Sequence, residues 1–170
     1  MSKLEQTVQA YAKIAHCGHY RKDGKTPYIK HIEAVVAILK KIEITDEDIL
    51  CAAWLHDTIE DCGVSKSTIE EAFNPNIARI VAALTRDTGR EEYRQRLQDS
   101  DYAVKIIKLA DYLHNCSDLT SDLPDKTIRN KVEEYPFYTG LAEQVNPSFC
   151  HLISYYLEPY IRAQSFMVLE

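Results

Sequence analysis

The sequence predicts an all-α fold of about eight helices in a single domain, residues 1–170. Apolar residues recur at helical spacing in most segments, as Leu4, Val8 and Tyr11 do in the first. No two alternating apolar runs are joined by a tight turn, so no β-hairpin is expected. With 170 residues, of which 45% are hydrophobic, the chain is long enough to bury one core.

Caps, prolines and glycines predict where the helices begin and end. The first helix is expected to start at Ser2 and to run to about His16. Thr45 is the expected N-cap of a third helix, which continues to a C-cap at Gly63. The other helices are predicted at about 28–42, from Ser65 or Ser67 to 73, at 77–84, 91–98 and 101–119, and as two C-terminal helices within 124–166.

Composition and charge exclude several classes of protein. A formal net charge of −6 argues against broad binding to nucleic acid or to an anionic membrane. No apolar run approaches the ~20 residues of a membrane span, and no secretory signal is expected. The five cysteines form no CxxC pair, which favours free thiols and a cytoplasmic location. Whether the chain forms a homo-oligomer is left open.

The stretch Ala52–Asp61 places four ionisable side chains inside an otherwise apolar helical segment. In a continuous helix, Glu60 and Asp61 would lie one turn after His56 and Asp57, on the same side. An imidazole and three carboxylates beside a core are expected to need a balancing cation. The alternative is a solvated acidic face at a helix end.

Asp111 is a second charged residue that a surface position does not explain well. Lys108 precedes it by three residues and Asn115 follows by four, so all three share one partly apolar helix side. This arrangement is typical of a pocket wall. Taken alone, a salt bridge between Asp111 and Lys108 on a half-exposed helix explains it better.

Four residues from three predicted helices together form a donor set for one divalent cation. Two imidazoles and two carboxylates suit Mn²⁺, Fe²⁺, Co²⁺ or Zn²⁺, and the absence of thiolates argues against a structural zinc site. The proposed ligands are His31, His56, Asp57 and Asp111. Glu60 and Asp61 are the candidates for proton acceptor. The remaining histidines are interpreted as loop or structural residues: His16, His19, His114 and His151.

Four blocks of sequence carry a resemblance to a known family. They are His16–Lys22, Gly24–His31, Ala52–Asp61 and Lys108–Asn115. The combination of these blocks is specific for one family. A His-Asp (HD) pair is followed by a Glu-Asp (ED) pair, with the motif PYI before them and the motif LADxxHN after them. The chain resembles the HD-domain superfamily of metal-dependent phosphohydrolases, and more narrowly the hydrolase domain of Rel/SpoT-type alarmone enzymes. The resemblance implies an HD-domain helical bundle and a stand-alone alarmone hydrolase.

The resemblance also implies roles for individual residues. The four proposed ligands would bind Mn²⁺, and Glu60 and Asp61 would activate or orient the attacking water. The implied reaction removes pyrophosphate from the 3′ position of guanosine tetra- or pentaphosphate, a small nucleotide polyphosphate, leaving GDP or GTP. The residues assigned to substrate binding are Arg21, Lys22, Lys108, Asn115 and Tyr135.

Other functions remain open at this point. The same fold would suit hydrolysis of another phosphorylated nucleotide, such as ppApp or NADPH, or a non-catalytic nucleotide-binding module. The chain also departs from the family pattern at several positions; of these, the extra carboxylate of Asp118 bears on base and phosphate preference, whereas Ile32 affects only the start of its helix. These departures are Ile32 in place of Pro, His19 in place of Gln, Arg86–Thr88 in place of acidic residues and Asp118 in place of Thr.

Overall fold

The computed structural model describes residues 1–120 and 124–167, with side chains described up to residue 163. These ranges contain ten helices, no strand and one isolated antiparallel bridge, between Tyr20 and Pro27. The prediction of an all-α fold is therefore confirmed. The helices are α1 Lys3–Ala15, α2 Ile29–Lys41, α3 Glu47–Leu55, α4 Thr58–Cys62, α5 Lys66–Ala72, α6 Pro75–Leu84, α7 Arg90–Asp99, α8 Tyr102–Ser117, α9 Asp125–Val145 and α10 Ser148–Met167.

The chain groups into two compact units, Met1–Ala110 and Asp111–Glu170. The boundary falls inside α8, so one continuous helix contributes its first nine residues to the first unit and the rest to the second. The prediction of a single domain over residues 1–170 stays a prediction. Among the described helices, none is both long and apolar enough to cross a membrane.

Helix α3 forms the centre of the first unit. Every residue from Ile49 to Leu55 is buried, so the helix is apolar on all sides. A helix of this kind needs neighbours all round it, and α1, α2 and α6 pack against it. Because α3 is packed against these helices, the position of its C-terminal end is fixed. His56 follows directly after that end.

Glu5 joins three helices of the first unit through a buried carboxylate. Its Oε1 atom accepts hydrogen bonds from Lys40 Nζ at 2.6 Å and from the indole nitrogen of Trp54 at 3.1 Å. A buried carboxylate is tolerated because both partners donate to it, one of them with a positive charge. These bonds hold α1 against α2 and α3.

The structure corrects several predicted boundaries. Asp46, and not Thr45, is the N-cap of α3, because its carboxylate accepts a 3.0 Å hydrogen bond from the Ile49 amide. Ser65 caps α5, which settles the choice between the two serines. In the second unit, the two predicted C-terminal helices are α9, which runs from Asp125 to Val145, and α10, which continues through Pro159.

The second unit is held by α9, α10 and the last turns of α8. The ring of Tyr112 stacks on that of Tyr138 with centroids 3.8 Å apart, and its hydroxyl donates to the Lys131 carbonyl at 2.6 Å. Burial raises the pKa of this phenol, so Tyr112 is neutral. Phe149, on α10, contributes a fully buried side chain to the core.

Candidate active site

Two residues, His56 and Asp57, interrupt the helix between α3 and α4. The prediction of one helix up to Gly63 is wrong, because Asp57 has φ −104° and ψ 0° and leaves helical geometry. The hydroxyl of Thr58 donates to the Leu55 carbonyl at 2.7 Å, which stabilises the turn. Gly63 ends α4 in the left-handed conformation, as predicted, with φ +68°. His56 and Asp57 therefore lie at a junction between two helices.

The imidazole of His56 is oriented by the backbone. Its Nδ1 atom lies 2.8 Å from the Ala53 carbonyl oxygen, which can only accept, so Nδ1 carries a proton. The Nε2 atom faces Asp57 Oδ2 at 3.0 Å, and the side chain is buried. A backbone carbonyl that fixes the tautomer in this way is the usual partner of a metal-ligating histidine.

His31 approaches the same carboxylate from α2. It lies in the first turn of that helix and is 1% exposed. Its Nε2 atom is 3.8 Å from Asp57 Oδ2, and its ring centroid is 5.4 Å from that of His56. Two buried imidazoles thus converge on one carboxylate oxygen.

Asp111 contributes a carboxylate to the group that contains the two imidazoles. It directly follows Ala110 in α8 and is buried. One ligand atom from each of His31, His56 and Asp111 lies within 4.8 Å of the others, which is close enough for a single ion. Asn115 donates a 2.6 Å hydrogen bond to Asp111 Oδ1 and so orients this carboxylate. The nitrogen and oxygen donors fit a divalent cation.

Tyr28 belongs to the site, although sequence reasoning assigned it no role. Its hydroxyl donates a 2.7 Å hydrogen bond to Asp57 Oδ2. Its ring also contacts the His31 ring, at a centroid distance of 5.5 Å. The sequence feature that could have identified Tyr28 is its position in the Pro27-Tyr28-Ile29 motif, three residues before His31.

Glu60 and Asp61 lie in α4, one turn beyond the junction. The amide of Asp61 donates to the Asp57 carbonyl at 2.8 Å, so the helical register resumes immediately. Glu60 is exposed and accepts a 2.8 Å hydrogen bond from the Arg86 amide. Asp61 is also exposed, and partial desolvation, followed by the Asp57 and Glu60 carboxylates, raises its pKa. These contacts place Glu60 beside the loop that follows α6.

Two of the basic residues assigned to substrate binding come from the loop before α2. The Arg21 guanidinium lies over the Tyr28 ring, 5.6 Å from its centroid, and Lys22 follows it as an exposed residue. Through Tyr28, Arg21 is one side chain away from Asp57. This arrangement places positive charge next to the cluster of carboxylates.

The other substrate-binding candidates are spread over both units. The Lys108 ammonium lies 5.7 Å from the centroid of the Tyr93 ring in the first unit. Within the second unit, the Tyr135 hydroxyl is hydrogen-bonded to Ser154 Oγ at 2.9 Å. This hydrogen bond of Tyr135 therefore links α9 to α10.

Comparison with known proteins identifies the family. The family model described as "HD domain" matches residues 9–145. The chain is similar to the guanosine-3′,5′-bis(diphosphate) 3′-pyrophosphohydrolase MESH1 of Drosophila melanogaster, with 38% identity over 142 residues and coverage of 79% of each chain. It is similar to MESH1 of Danio rerio at 36% identity over 140 residues, covering 78% of this chain and 77% of that protein.

A solved structure agrees with these matches. A metazoan ortholog of SpoT, described as hydrolysing ppGpp, superposes with a TM-score of 0.74 at 26% identity and covers 96% of this chain and 97% of its own. The match with the HD-domain model covers most of the chain, and the similarity to MESH1 of Drosophila melanogaster extends over 142 residues. This chain therefore belongs to the HD-domain family and, within it, to the family of the MESH1 pyrophosphohydrolases.

Proposed function

We propose that the chain is a (p)ppGpp 3′-pyrophosphohydrolase, which removes pyrophosphate from guanosine tetra- or pentaphosphate and leaves GDP or GTP. The observation that carries this proposal is the convergence of His31, His56 and Asp111 within 4.8 Å, with Asp57 Oδ2 beside both imidazoles. The relatives named for this activity are up to 38% identical over most of the chain. Geometry and family thus support the same reaction.

His31, His56, Asp57 and Asp111 are the proposed ligands of a divalent cation. We propose Mn²⁺, because two imidazoles and two carboxylates without a thiolate suit a harder ion; Fe²⁺, Co²⁺ and Zn²⁺ are the alternatives. When bound, the cation supplies Lewis-acid chemistry, acidifying water and withdrawing charge from phosphorus. The protein contributes the fixed directions of the ligand atoms, through Ala53 behind His56 and Asn115 behind Asp111.

Glu60 and Asp61 are the proposed catalytic pair. A proton acceptor works best when its pKa approaches the working pH, and the pKa of Asp61 is raised by partial desolvation and by neighbouring carboxylates. Glu60 is positioned by the Arg86 amide and carries the charge that orients the attacking water. Both lie one helical turn from Asp57.

Arg21 and Lys22 are the proposed contacts for the nucleotide phosphates. A polyphosphate carries several negative charges, which the carboxylates of the site would otherwise repel. The guanidinium of Arg21 over Tyr28 offsets that repulsion and can bind phosphate oxygens in pairs. Lys108 and Asn115 are proposed as further contacts, and Tyr135 is proposed from the family resemblance alone.

We further propose that the enzyme works in the cytoplasm on a small nucleotide, without a nucleic-acid or membrane partner. The net charge of −6 supports this, since it disfavours association with other polyanions.

A product analysis tests the proposed function. Purified protein is incubated with ppGpp, ppApp or NADPH, with and without added Mn²⁺, and the released pyrophosphate and orthophosphate are quantified separately. We expect Mn²⁺-dependent release of equal amounts of pyrophosphate and GDP from ppGpp. Intact ppGpp in the presence of Mn²⁺ would contradict the proposal, and tight binding of ppGpp without turnover would favour a non-catalytic module.

A further inference from the structure

A second group of metal-ligating side chains lies beside the first. His16 caps the C-terminal end of α1, His19 lies in the following loop, and Cys62 is the last residue of α4. The Cys62 sulfur is 3.4 Å from His16 Nδ1 and 4.0 Å from His19 Nδ1. One ligand atom from each residue lies within 4.8 Å of the other two. None of the three is used by the proposed hydrolysis.

The backbone holds this group in place. The amide of His19 donates to the His16 carbonyl at 3.1 Å, and the Tyr28 amide donates to the His19 carbonyl at 2.8 Å. Gly18 allows the intervening turn with φ +80°, a conformation that glycine adopts without strain. His16 is 3% exposed, and its ring stacks on that of Tyr28 with centroids 5.0 Å apart. These backbone contacts therefore hold the two histidine side chains in the loop after α1, close to Cys62.

We propose that His16, His19 and Cys62 form a second cation site, selective for a borderline divalent ion of the Zn²⁺ class. Zinc is bound by histidine nitrogens and cysteine sulfurs, and two imidazoles with one thiolate supply three such donors. Zinc sites with three protein ligands keep a fourth position for water. The first group lacks a thiolate and suits harder ions, so the two sites differ in the ion that they prefer.

The carboxylates near Cys62 attract a cation, which must displace the thiol proton in order to bind. Burial, followed by the Asp61 and Asp57 carboxylates, raises the pKa of the Cys62 thiol to about 11. The same carboxylates create a negative potential that attracts a dication. A cation at this position replaces the thiol proton and offsets both effects.

The two groups are close enough that a test must tell them apart. Tyr28 stacks on His16 and donates to Asp57 Oδ2, so a single side chain connects them. A readout specific for sulfur solves this difficulty. Cobalt bound to a thiolate gives a ligand-to-metal charge-transfer band in the near ultraviolet, whereas cobalt bound only to imidazole and carboxylate does not.

The experiment is a Co²⁺ titration of the full chain, followed by absorption spectroscopy under reducing conditions. We expect the charge-transfer band in the wild type, its loss in Cys62→Ser, and at least about tenfold weaker Co²⁺ binding at this site in His19→Gln. Cys17→Ser is the matched control, since Cys17 is exposed and lies beside His16 without belonging to the group. That variant should keep the band.

A further variant, His31→Ala, removes a ligand of the first group and should also keep the band. Far-ultraviolet circular dichroism and a thermal melt establish that each variant is folded. The proposal is overturned if the folded wild type shows no band with saturating Co²⁺, or if Cys62→Ser retains it. Because no outcome depends on hydrolysis, a failure of the proposed function leaves this test intact.

Discussion

The hydroxyl of Tyr28 donates to Asp57 Oδ2 at 2.7 Å, and the same oxygen lies 3.0 Å from His56 Nε2. The phenol therefore orients a proposed metal ligand without being one itself. Hydrogen bonds of this kind set both the direction and the basicity of the ligand, and losing one typically costs 10–100-fold in metal affinity or activity.

Replacing Tyr28 with phenylalanine tests this role. We expect Tyr28→Phe to weaken Mn²⁺ binding by roughly tenfold, because the ring and its stacking on His16 are kept and only the hydroxyl is lost. Isothermal titration calorimetry with Mn²⁺ measures the change. Tyr20→Phe is the control, since Tyr20 is 57% exposed. Equal affinities of Tyr28→Phe and the wild type would show that the hydroxyl does not orient Asp57.

Removing His56 is expected to abolish function through loss of the cation. His56→Ala deletes a buried nitrogen donor that the Ala53 carbonyl holds in position, so we expect at least roughly 100-fold lower activity at a fixed Mn²⁺ concentration. Pyrophosphate release and Mn²⁺ affinity are measured together. His151→Ala, at an exposed histidine, should behave as the wild type. An active His56→Ala protein would rule out this residue as a ligand.

Glu60 offers a way to separate positioning from catalysis. Glu60→Gln keeps an oxygen that can accept from the Arg86 amide, but it removes the charge. We expect kcat for ppGpp hydrolysis to fall by roughly 10²–10⁴-fold with Mn²⁺ affinity nearly unchanged. Glu71→Gln, at an exposed position of α5, is the matched control. A change in KM alone would assign Glu60 to substrate binding.

The stability of the cation-free protein should fall as the pH is lowered. Burial, opposed in part by Asp57, lowers the pKa of His16 to about 4 from the ordinary 6.5. Between these values the unfolded chain binds the proton more readily than the folded one. The contribution of His16 to the free energy of unfolding is therefore fully present above pH 6.5 and is lost as the pH falls toward 4.

Denaturant unfolding with a chelator present measures this effect. We expect the free energy of unfolding of the wild type to drop between pH 7 and pH 5 by on the order of 1 kcal/mol more than that of His16→Gln. His151→Gln, at an exposed histidine, should follow the wild type. Parallel pH profiles for the wild type and His16→Gln would mean that His16 is not the group that titrates.

Much of the fold and the proposed ligand set could be predicted because the signals are local. Apolar spacing predicts α1 and α2 within about one residue of their observed ends. Gly63 ends α4 as expected, because few other residues adopt a left-handed backbone without strain. The motif pairs locate the candidate ligands in α2, at the junction between α3 and α4, and in α8.

Features that leave no recognised pattern in the sequence could not be predicted. No proline or glycine marks the break at Asp57. A hydrogen bond from the Thr58 hydroxyl to the Leu55 carbonyl stabilises it instead. The bond from the Arg86 amide to Glu60 joins residues 26 positions apart. The cluster around Cys62 joins two segments, residues 16–19 and Cys62, that together carry no recognised metal-binding spacing.

The most direct test of the central claim is anomalous diffraction from crystals of the protein grown with Mn²⁺. We expect a manganese peak within bonding distance of both imidazoles, His31 and His56, and of the carboxylates of Asp57 and Asp111. A manganese ion bound elsewhere, or these four side chains with no manganese between them in crystals whose protein hydrolyses ppGpp, would contradict the account.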